Sequence, residues 1–281
     1  MKVKIAEHLG ICSGVRRALD MVEQALNQCG ENTLYVYNEI VHNNFVINEL
    51  KKRNVVFVHS MSEVPDGAMV VFSAHGVSGD VEQEAMRKKL SVFDATCLLV
   101  KKNHRAVEEA CAENKSVIFI GKSSHPECIG TVGRINPGKC YVVERKEDID
   151  KLPEFDNDIV VISQTTLAIS EVEKIIASLK RKYRNIKHLG GICFATCERQ
   201  NAIIELAKAC DLILVAGSPA SSNSCRLVQI AEQCGVKSKL VDSLDDIKDV
   251  DFSLYHCVGI SAGASTPQQK IDELITFVQE Q

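Results

Sequence analysis

The stretch Cys12-Ser13-Gly14-Val15-Arg16-Arg17-Ala18-Leu19 decides how this chain is read, because its plan recurs twice. Cys97 opens Leu98-Leu99-Val100-Lys101-Lys102, and Cys193 opens Phe194-Ala195-Thr196-Cys197-Glu198-Arg199-Gln200. The three cysteines stand 85 and 96 residues apart. Each begins an amphipathic helical pattern, over about 13–28, 98–113 and 194–209. A strand-like run follows each helix, at Thr33–Asn38, Ser116–Ile120 and Asp211–Val215. Each run leads to a polar loop: Val41-His42-Asn43-Asn44, Ser123-Ser124-His125-Pro126-Glu127, and Ser218-Pro219-Ala220-Ser221-Ser222-Asn223. Second runs, at Met69–Phe72, Ile159–Ile162 and His256–Ile260, also end in polar turns. These are Ser73-Ala74-His75-Gly76, Ser163-Gln164-Thr165-Thr166 and Ser261-Ala262-Gly263-Ala264-Ser265-Thr266, and helical patterns follow at 80–89, 170–182 and 267–278.

Short apolar runs alternating with helical patterns predict parallel β/α units. The expected fold is α/β, with three similar parallel-sheet units at 13–96, 97–192 and 193–281, and an N-terminal strand within 1–12 near a central cavity. The period is too long for a solenoid. A pseudo-threefold, trefoil-like arrangement around that cavity is expected instead. Pro153 and the acidic stretch 144–158 read as an excursion within the second unit. Ligands of open α/β sheets bind beyond the carboxyl ends of strands. All six polar turns occupy such ends, so they and the cysteines are expected to line one cavity.

Composition narrows the function classes. The 281 residues are 45% hydrophobic and 25% charged, as in an ordinary globular protein. The net charge of −4 gives no reason for bulk attraction to nucleic acid or anionic lipid. Lys51-Lys52-Arg53 and Lys180-Arg181-Lys182 read as solvated helix ends. No run reaches the ~18 apolar residues of a membrane span, and the start Met1-Lys2-Val3-Lys4-Ile5 has no signal-peptide core. The expectation is a monomeric cytoplasmic protein, or one imported with its targeting segment removed, with no nucleic-acid or membrane partner. Reducing compartments disfavour disulfides. Several of the twelve cysteines, including Cys29, Cys111 and Cys210, therefore read as small buried hydrophobes.

Cys12, Cys97 and Cys193 call for another account. A helix N-terminus stabilises a thiolate and suits it to ligate metal. Three such thiolates meeting at a pseudo-threefold axis hold an iron–sulfur cluster with one iron open, at once a Lewis acid and a redox centre. Zinc is the rival, but it prefers four ligands and close CxxC pairs, which this chain lacks. Cys193 and Cys197 share a helix face, leaving a dithiol or zinc role open for that pair.

The polar turns supply His42, His75, His125, Gln164, Thr165, Thr166, Ser221, Ser222, Asn223 and Ser265. Together they suggest an anion pocket without Arg or Lys, suited to a phosphate or diphosphate at helix starts. Plain helix capping is the alternative for Ser221-Ser222-Asn223-Ser224, and for Thr165 and Thr166, which otherwise relay a proton. Neither GxxxxGK[ST] nor GxGxxG occurs, so a nucleotide is disfavoured. Glu127 is the one carboxylate in these turns. Desolvation in a closed pocket would raise its pKa and let it carry protons.

Taken in order, the motifs resemble the 4-hydroxy-3-methylbut-2-enyl diphosphate reductase family. The matching segments are Gly10-Ile11-Cys12-Ser13-Gly14-Val15, Val41-His42-Asn43, Phe72-Ser73-Ala74-His75-Gly76-Val77, Asp94-Ala95-Thr96-Cys97 and His125-Pro126-Glu127. They continue with Ser163-Gln164-Thr165-Thr166-Leu167, Ile192-Cys193-Phe194-Ala195-Thr196, Gly217-Ser218, Ser221-Ser222-Asn223-Ser224 and Ala262-Gly263-Ala264-Ser265, nearly spanning the chain. The resemblance implies a three-lobed α/β fold around a 4Fe–4S cluster held by Cys12, Cys97 and Cys193, which degrades to 3Fe–4S on oxidation. It implies that the fourth iron takes the substrate's hydroxyl oxygen. By the same resemblance His42, His75, Ser221, Asn223 and Ser265, with Ser222 and His125, hold the diphosphate. Glu127 supplies protons, helped by Thr165 and His125. The implied reaction is a two-electron, two-proton reductive dehydroxylation giving isopentenyl and dimethylallyl diphosphate, with ferredoxin or flavodoxin as electron donor.

Leu98 stands where the family commonly has proline, and Cys128, Cys197 and Cys225 fall near the site where other residues are expected. Cys197 is in a position to compete with Cys193 for iron. The residues by themselves also admit a non-redox iron–sulfur dehydratase or synthase acting on a small anionic substrate, and a non-catalytic iron–sulfur sensor.

Overall fold

Twelve strands, none longer than six residues, build three separate parallel sheets. The computed structural model describes residues 1–281. In chain order the elements are β1 (Lys2–Ile5), α1 (Ser13–Cys29), β2 (Leu34–Tyr37), α2 (Asn44–Lys51), β3 (Val55–Val58), β4 (Met69–Phe72) and α3 (Gly79–Arg87). Next come β5 (Ser91–Asp94), α4 (Leu98–Ala112), β6 (Ser116–Ile120), α5 (Pro126–Val132), β7 (Cys140–Val143), β8 (Ile159–Ser163), α6 (Ile169–Lys182) and β9 (Ile186–His188). The last are α7 (Phe194–Ala207), β10 (Leu212–Ala216), α8 (Ser222–Gln233), β11 (Lys237–Val241), β12 (Cys257–Ala262) and α9 (Gln268–Gln279).

The sheets share one strand order: β3-β2-β4-β5, β7-β6-β8-β9 and β11-β10-β12-β1. The N-terminal strand thus fills, beside β12, the place that β5 and β9 fill beside β4 and β8. Each of these three edge strands leads to a lead cysteine and its helix. The expected α/β class with three similar parallel-sheet units is therefore what the chain forms. The chain also divides into two compact units. One contains Met1–Val15, His42–Asn48 and Cys193–Gln281, and holds the third sheet. The other contains Arg16–Val41 and Glu49–Ile192, and holds the first two.

Burial explains the strands. In β10, Leu212, Leu214 and Ala216 face Ile271, Leu274 and Val278 of α9. Ile213 and Val215 face Ile203 and Leu206 of α7 and Leu227 and Ile230 of α8. Side chains alternate faces along a strand, so a strand covered by helices on both sides is apolar on both faces along nearly its whole length. The same holds for the second sheet. There Ile118, Ile120, Ile159 and Val161 meet Val172, Ile175 and Leu179 of α6. Val117, Phe119, Val160 and Ile162 meet Val107 and Ala110 of α4. Each such side chain contributes about 1.5–3 kcal/mol. No helix is long and apolar enough to cross a membrane.

The stretch 144–158 is not an excursion. It contains a 3-10 turn (Lys146–Lys151) that has counterparts in the other two sheets at Met61–Glu63 and Leu244–Ile247. In each, one carboxylate oxygen accepts from two successive backbone N–H groups. Glu63 takes His59 N and Ser60 N at 3.0 and 2.7 Å. Asp148 takes Glu144 N and Arg145 N, both at 3.1 Å. Asp246 takes Asp242 N and Ser243 N, both at 2.8 Å. The acidic residues cap a turn between two parallel strands, where orphan N–H groups need acceptors.

Deleting residues 1–5 strips β12 of its parallel neighbour and leaves a fully buried apolar strand at a sheet edge. The expected result is faster amide exchange across Cys257–Ala262 and concentration-dependent aggregation, read by hydrogen exchange and light scattering. Unchanged protection would show that β1 is dispensable.

Candidate active site

The unit holding the first two sheets brings together the turns after β4, β6 and β8. Glu127, the second residue of α5, is buried at 2% exposure. Its Oε1 accepts from Thr165 N at 3.0 Å, and its Oε2 accepts from Thr165 Oγ1 at 2.8 Å. Burial pushes its pKa up to about 7, against the two Thr165 bonds that pull it down. The carboxyl therefore changes protonation near neutrality.

His125 is the N-cap of α5, and its Nδ1 accepts from Glu127 N at 3.1 Å. An accepting Nδ1 places the ring hydrogen of the neutral imidazole on Nε2, which is left to donate. The His75 ring stands edge-on to His125, with centroids 5.6 Å apart and planes at 88°. His75 belongs to a tight turn in which Gly76 adopts φ +79° and donates its N–H to Ser73 O at 3.1 Å. A Cβ on Gly76 would meet His104 Cε1 at 2.6 Å. His104, on α4, is buried, and burial first and Arg134 next push its pKa down to about 4, so it packs as a neutral ring. The same turn anchors Cys97, whose N–H donates to Ala74 O at 3.0 Å.

Gln164 and Thr166 sit differently from a simple pocket lining. The Gln164 amide accepts from Lys122 N at 3.1 Å and donates to Thr166 Oγ1 at 2.9 Å. It fastens the turn after β8 to the turn that carries His125. The N-cap of α6 is Ala168, three residues after Thr165. The hydroxyl of Thr165 goes to Glu127 instead, which favours the relay reading of the two alternatives.

The unit holding the third sheet gathers the other residues. Cys12 N donates to Ala264 O at 3.0 Å, and the Cys12 sulfur accepts from Val15 N at 3.4 Å. Cys193 is the N-cap of α7 with φ −59° and ψ 136°, nearly the geometry of Cys97 at the start of α4, −56° and 139°. None of the three cysteines is in a disulfide, and all three are part-exposed. Ser265 Oγ donates to His42 O at 3.1 Å. Ser221 is the N-cap of α8, and its Oγ accepts from Ser224 N at 3.2 Å. Asn223, 4% exposed, has both amide atoms buried without a protein partner. Ser224 fits here only because Gly217 and Gly263 are glycines; a Cβ on either would meet Ser224 Oγ at 2.4 or 2.0 Å.

These residues fit a cluster and an anion. Three cysteine sulfurs at helix starts are the donor type an iron–sulfur cluster takes. The unpartnered Asn223 amide beside the α8 N-terminus suits an incoming anion. No three His, Cys, Asp or Glu side chains converge at single-ion distance, so the Cys193–Cys197 pair has no third ligand for zinc. Cys128 is packed in the apolar core, and burial first and Glu127 next push its pKa up to about 12, which makes it inert. Cys225 donates to Pro219 O at 3.3 Å.

Residues 3–279 match the family model described as LytB protein. The chain belongs to the LytB family. It is 46% identical over 285 residues to 4-hydroxy-3-methylbut-2-enyl diphosphate reductase of Haemophilus influenzae (strain PittGG), covering 100% of this chain and 90% of that one. It is 40% identical to the protein of the same name from Nitrosomonas europaea (strain ATCC 19718 / CIP 103999 / KCTC 2705 / NBRC 14298), covering 100% and 88%. Among solved structures, the Plasmodium falciparum E-1-hydroxy-2-methyl-but-2-enyl-4-diphosphate reductase aligns at TM-score 0.95 and 34% identity, covering 98% of this chain and 87% of that one.

Sequence reasoning on this LytB chain passed over His104 and Arg199. His104 carries no motif, and only the packing shows it under Gly76. Arg199 has a faint sequence signal: an arginine inside a helical pattern with no acidic residue at i±3 or i±4.

Two outcomes follow. Gly76→Ala forces positive φ and a clash with His104, and is expected to lower unfolding free energy by at least about 2 kcal/mol in denaturant titration. Glu127 in the folded state binds its proton more tightly than the free carboxyl's 4.5, so stability falls as pH rises from there to about 7. Over that window the wild type is expected to lose about 3 kcal/mol that Glu127→Gln does not. Parallel pH dependence of the two proteins would show an ordinary carboxyl.

Proposed function

We propose that this chain reductively dehydroxylates (E)-4-hydroxy-3-methylbut-2-enyl diphosphate to isopentenyl and dimethylallyl diphosphate. The observation that carries the reading is Glu127, a buried carboxyl poised near neutral pH and held by Thr165, in a chain whose full-length relatives bear that reductase name. The overall change takes up two electrons and two protons, breaks the C–O bond and releases water.

Cys12, Cys97 and Cys193 would hold a 4Fe–4S cluster, Cys12 from just before the repeat at 13–96 and the other two from the first positions of the repeats at 97–192 and 193–281. When bound, the cluster supplies electrons and a Lewis-acidic iron with no protein ligand. His42, His75 and His125, with Ser221, Ser222, Asn223 and Ser265, would bind the diphosphate. Neutral donors and helix N–H groups suit this work, because they bind the anion without neutralising it into a contact ion pair that must be broken for product release.

Hydroxide is a poor leaving group, so a proton must reach the oxygen as the bond breaks. Glu127 is the acid. Its proton passes directly or through Thr165, whose hydroxyl accepts from the protonated carboxyl and donates onward. After delivery the carboxylate is stabilised by the two Thr165 donors. Packing around Glu127 excludes water, which keeps the carboxyl protonated up to about neutral pH and so loaded with the proton it delivers. Single electrons would come from a ferredoxin or flavodoxin.

The test is anaerobic purification with iron and sulfide analysis, then turnover of the hydroxylated diphosphate with a chemical reductant. Glu127→Gln is expected to keep the cluster and to lower kcat by at least about 100-fold. Turnover without any electron source would favour the non-redox dehydratase, and full turnover by Glu127→Gln would remove Glu127 from the acid role.

A further inference from the structure

Arg199 is a buried cation, 4% exposed, that the chemistry above does not use. It lies in the second turn of α7, in the same unit as Cys12 and Cys193. Ala195 and Ile203, four residues to either side, offer it no carboxylate. Its guanidinium reaches two backbone carbonyls instead. Nη1 donates to Ala195 O at 2.7 Å, and Nη2 donates to Gly10 O in a short bond. Ala195 is two residues after Cys193, and Gly10 is two residues before Cys12. One planar fork thus joins the backbone beside both sulfurs.

The Gly10 carbonyl is itself held. Gly10 has φ +73°, and a Cβ there would meet Ile271 Cδ1 at 2.9 Å. Two residues on, Cys12 is pinned by its N–H bond to Ala264 O at 3.0 Å. The third nitrogen, Nε, is buried without a partner. A buried guanidinium with a donor unmet is costly unless negative charge lies near. Burial, the largest cause, holds its pKa down, and Cys12, Cys193 and Glu198 in that order offset this only in part.

We propose that Arg199 is a positioning residue that ties the Cys12 loop to the Cys193 helix and sets a fixed positive charge beside the metal group those sulfurs hold. The proposal rests on the cluster reading above. Reduction adds negative charge to the cluster, so a nearby buried cation stabilises the reduced state. Lysine keeps the charge but not the planar fork, and glutamine loses the charge.

Wild type, Arg199→Lys and Arg199→Gln are loaded anaerobically with iron and sulfide as full chains. Iron and sulfide per chain, cluster lifetime under EDTA, thermal unfolding and a redox titration followed by electron paramagnetic resonance are then measured. Arg199→Gln is expected to shift the reduced-to-oxidised ratio at fixed potential at least tenfold toward oxidised, about 59 mV more negative for one electron. Arg199→Lys is expected to hold the ratio within about threefold and to lose its cluster to EDTA at least tenfold faster, because one ammonium does not bridge both carbonyls. An unchanged potential in Arg199→Gln overturns the proposal, including when both variants merely melt lower, as a purely structural arginine would predict. If Arg199→Gln does not load, an unchanged loss rate in Arg199→Lys overturns it. A wild type that binds no iron and sulfide sinks the cluster reading itself, a different failure.

Discussion

The central strands of the second and third sheets are buried on both faces, and that constraint arranges everything else. A strand sandwiched between helices favours apolar side chains, and the fully buried runs of β6, β8, β10 and β12 carry no polar residue larger than Ser116, Ser163 and Ser261, which lie at or beside strand ends. Polar groups are therefore driven to the turns beyond the carboxyl ends. Those turns carry His75, His125, Glu127, Thr165, Ser221, Asn223 and Ser265. Chemistry is concentrated there because the interior excludes it, and because helix starts at the same ends present unpaired N–H groups.

Within the turns, environment rather than residue type sets behaviour. Glu127 occupies the first turn of a helix, where an exposed carboxylate would be favoured as the anion. Burial at this position reverses that preference, and the two Thr165 donors offset the reversal only in part. A carboxyl that is otherwise always ionised becomes a proton carrier near neutrality. Cys128, next in the chain, is driven the other way in usefulness: the same burial leaves it a protonated thiol with no reactivity.

Legibility followed hydrophobic contrast. The central strands could be read because they are mostly apolar runs, and α1, α4 and α7 because a lead residue recurs ahead of each. The edge strands were harder. Lys2-Val3-Lys4-Ile5, Ile186-Lys187-His188 and Lys237-Ser238-Lys239-Leu240-Val241 carry lysines that protect a sheet edge and blur the strand signal. The acidic stretch at 144–158 resembled an insertion until its carboxylate was seen capping a turn that recurs at Glu63 and Asp246. Thr165 resembled a helix cap, yet the helix begins four residues later and the hydroxyl belongs to Glu127.

Sequence alone determined the α/β class, the three similar parallel sheets, the membership of the polar turns and the family, because each depends on local pattern or on ordered motifs. Tertiary structure alone decided that β1 completes the third sheet, that Gln164 ties two turns together, that His104 lies under Gly76, and that Arg199 reaches Gly10. These pairings join residues from 28 to 255 positions apart. No local propensity encodes such contacts; they form when burial leaves each polar group a single place to find its partner.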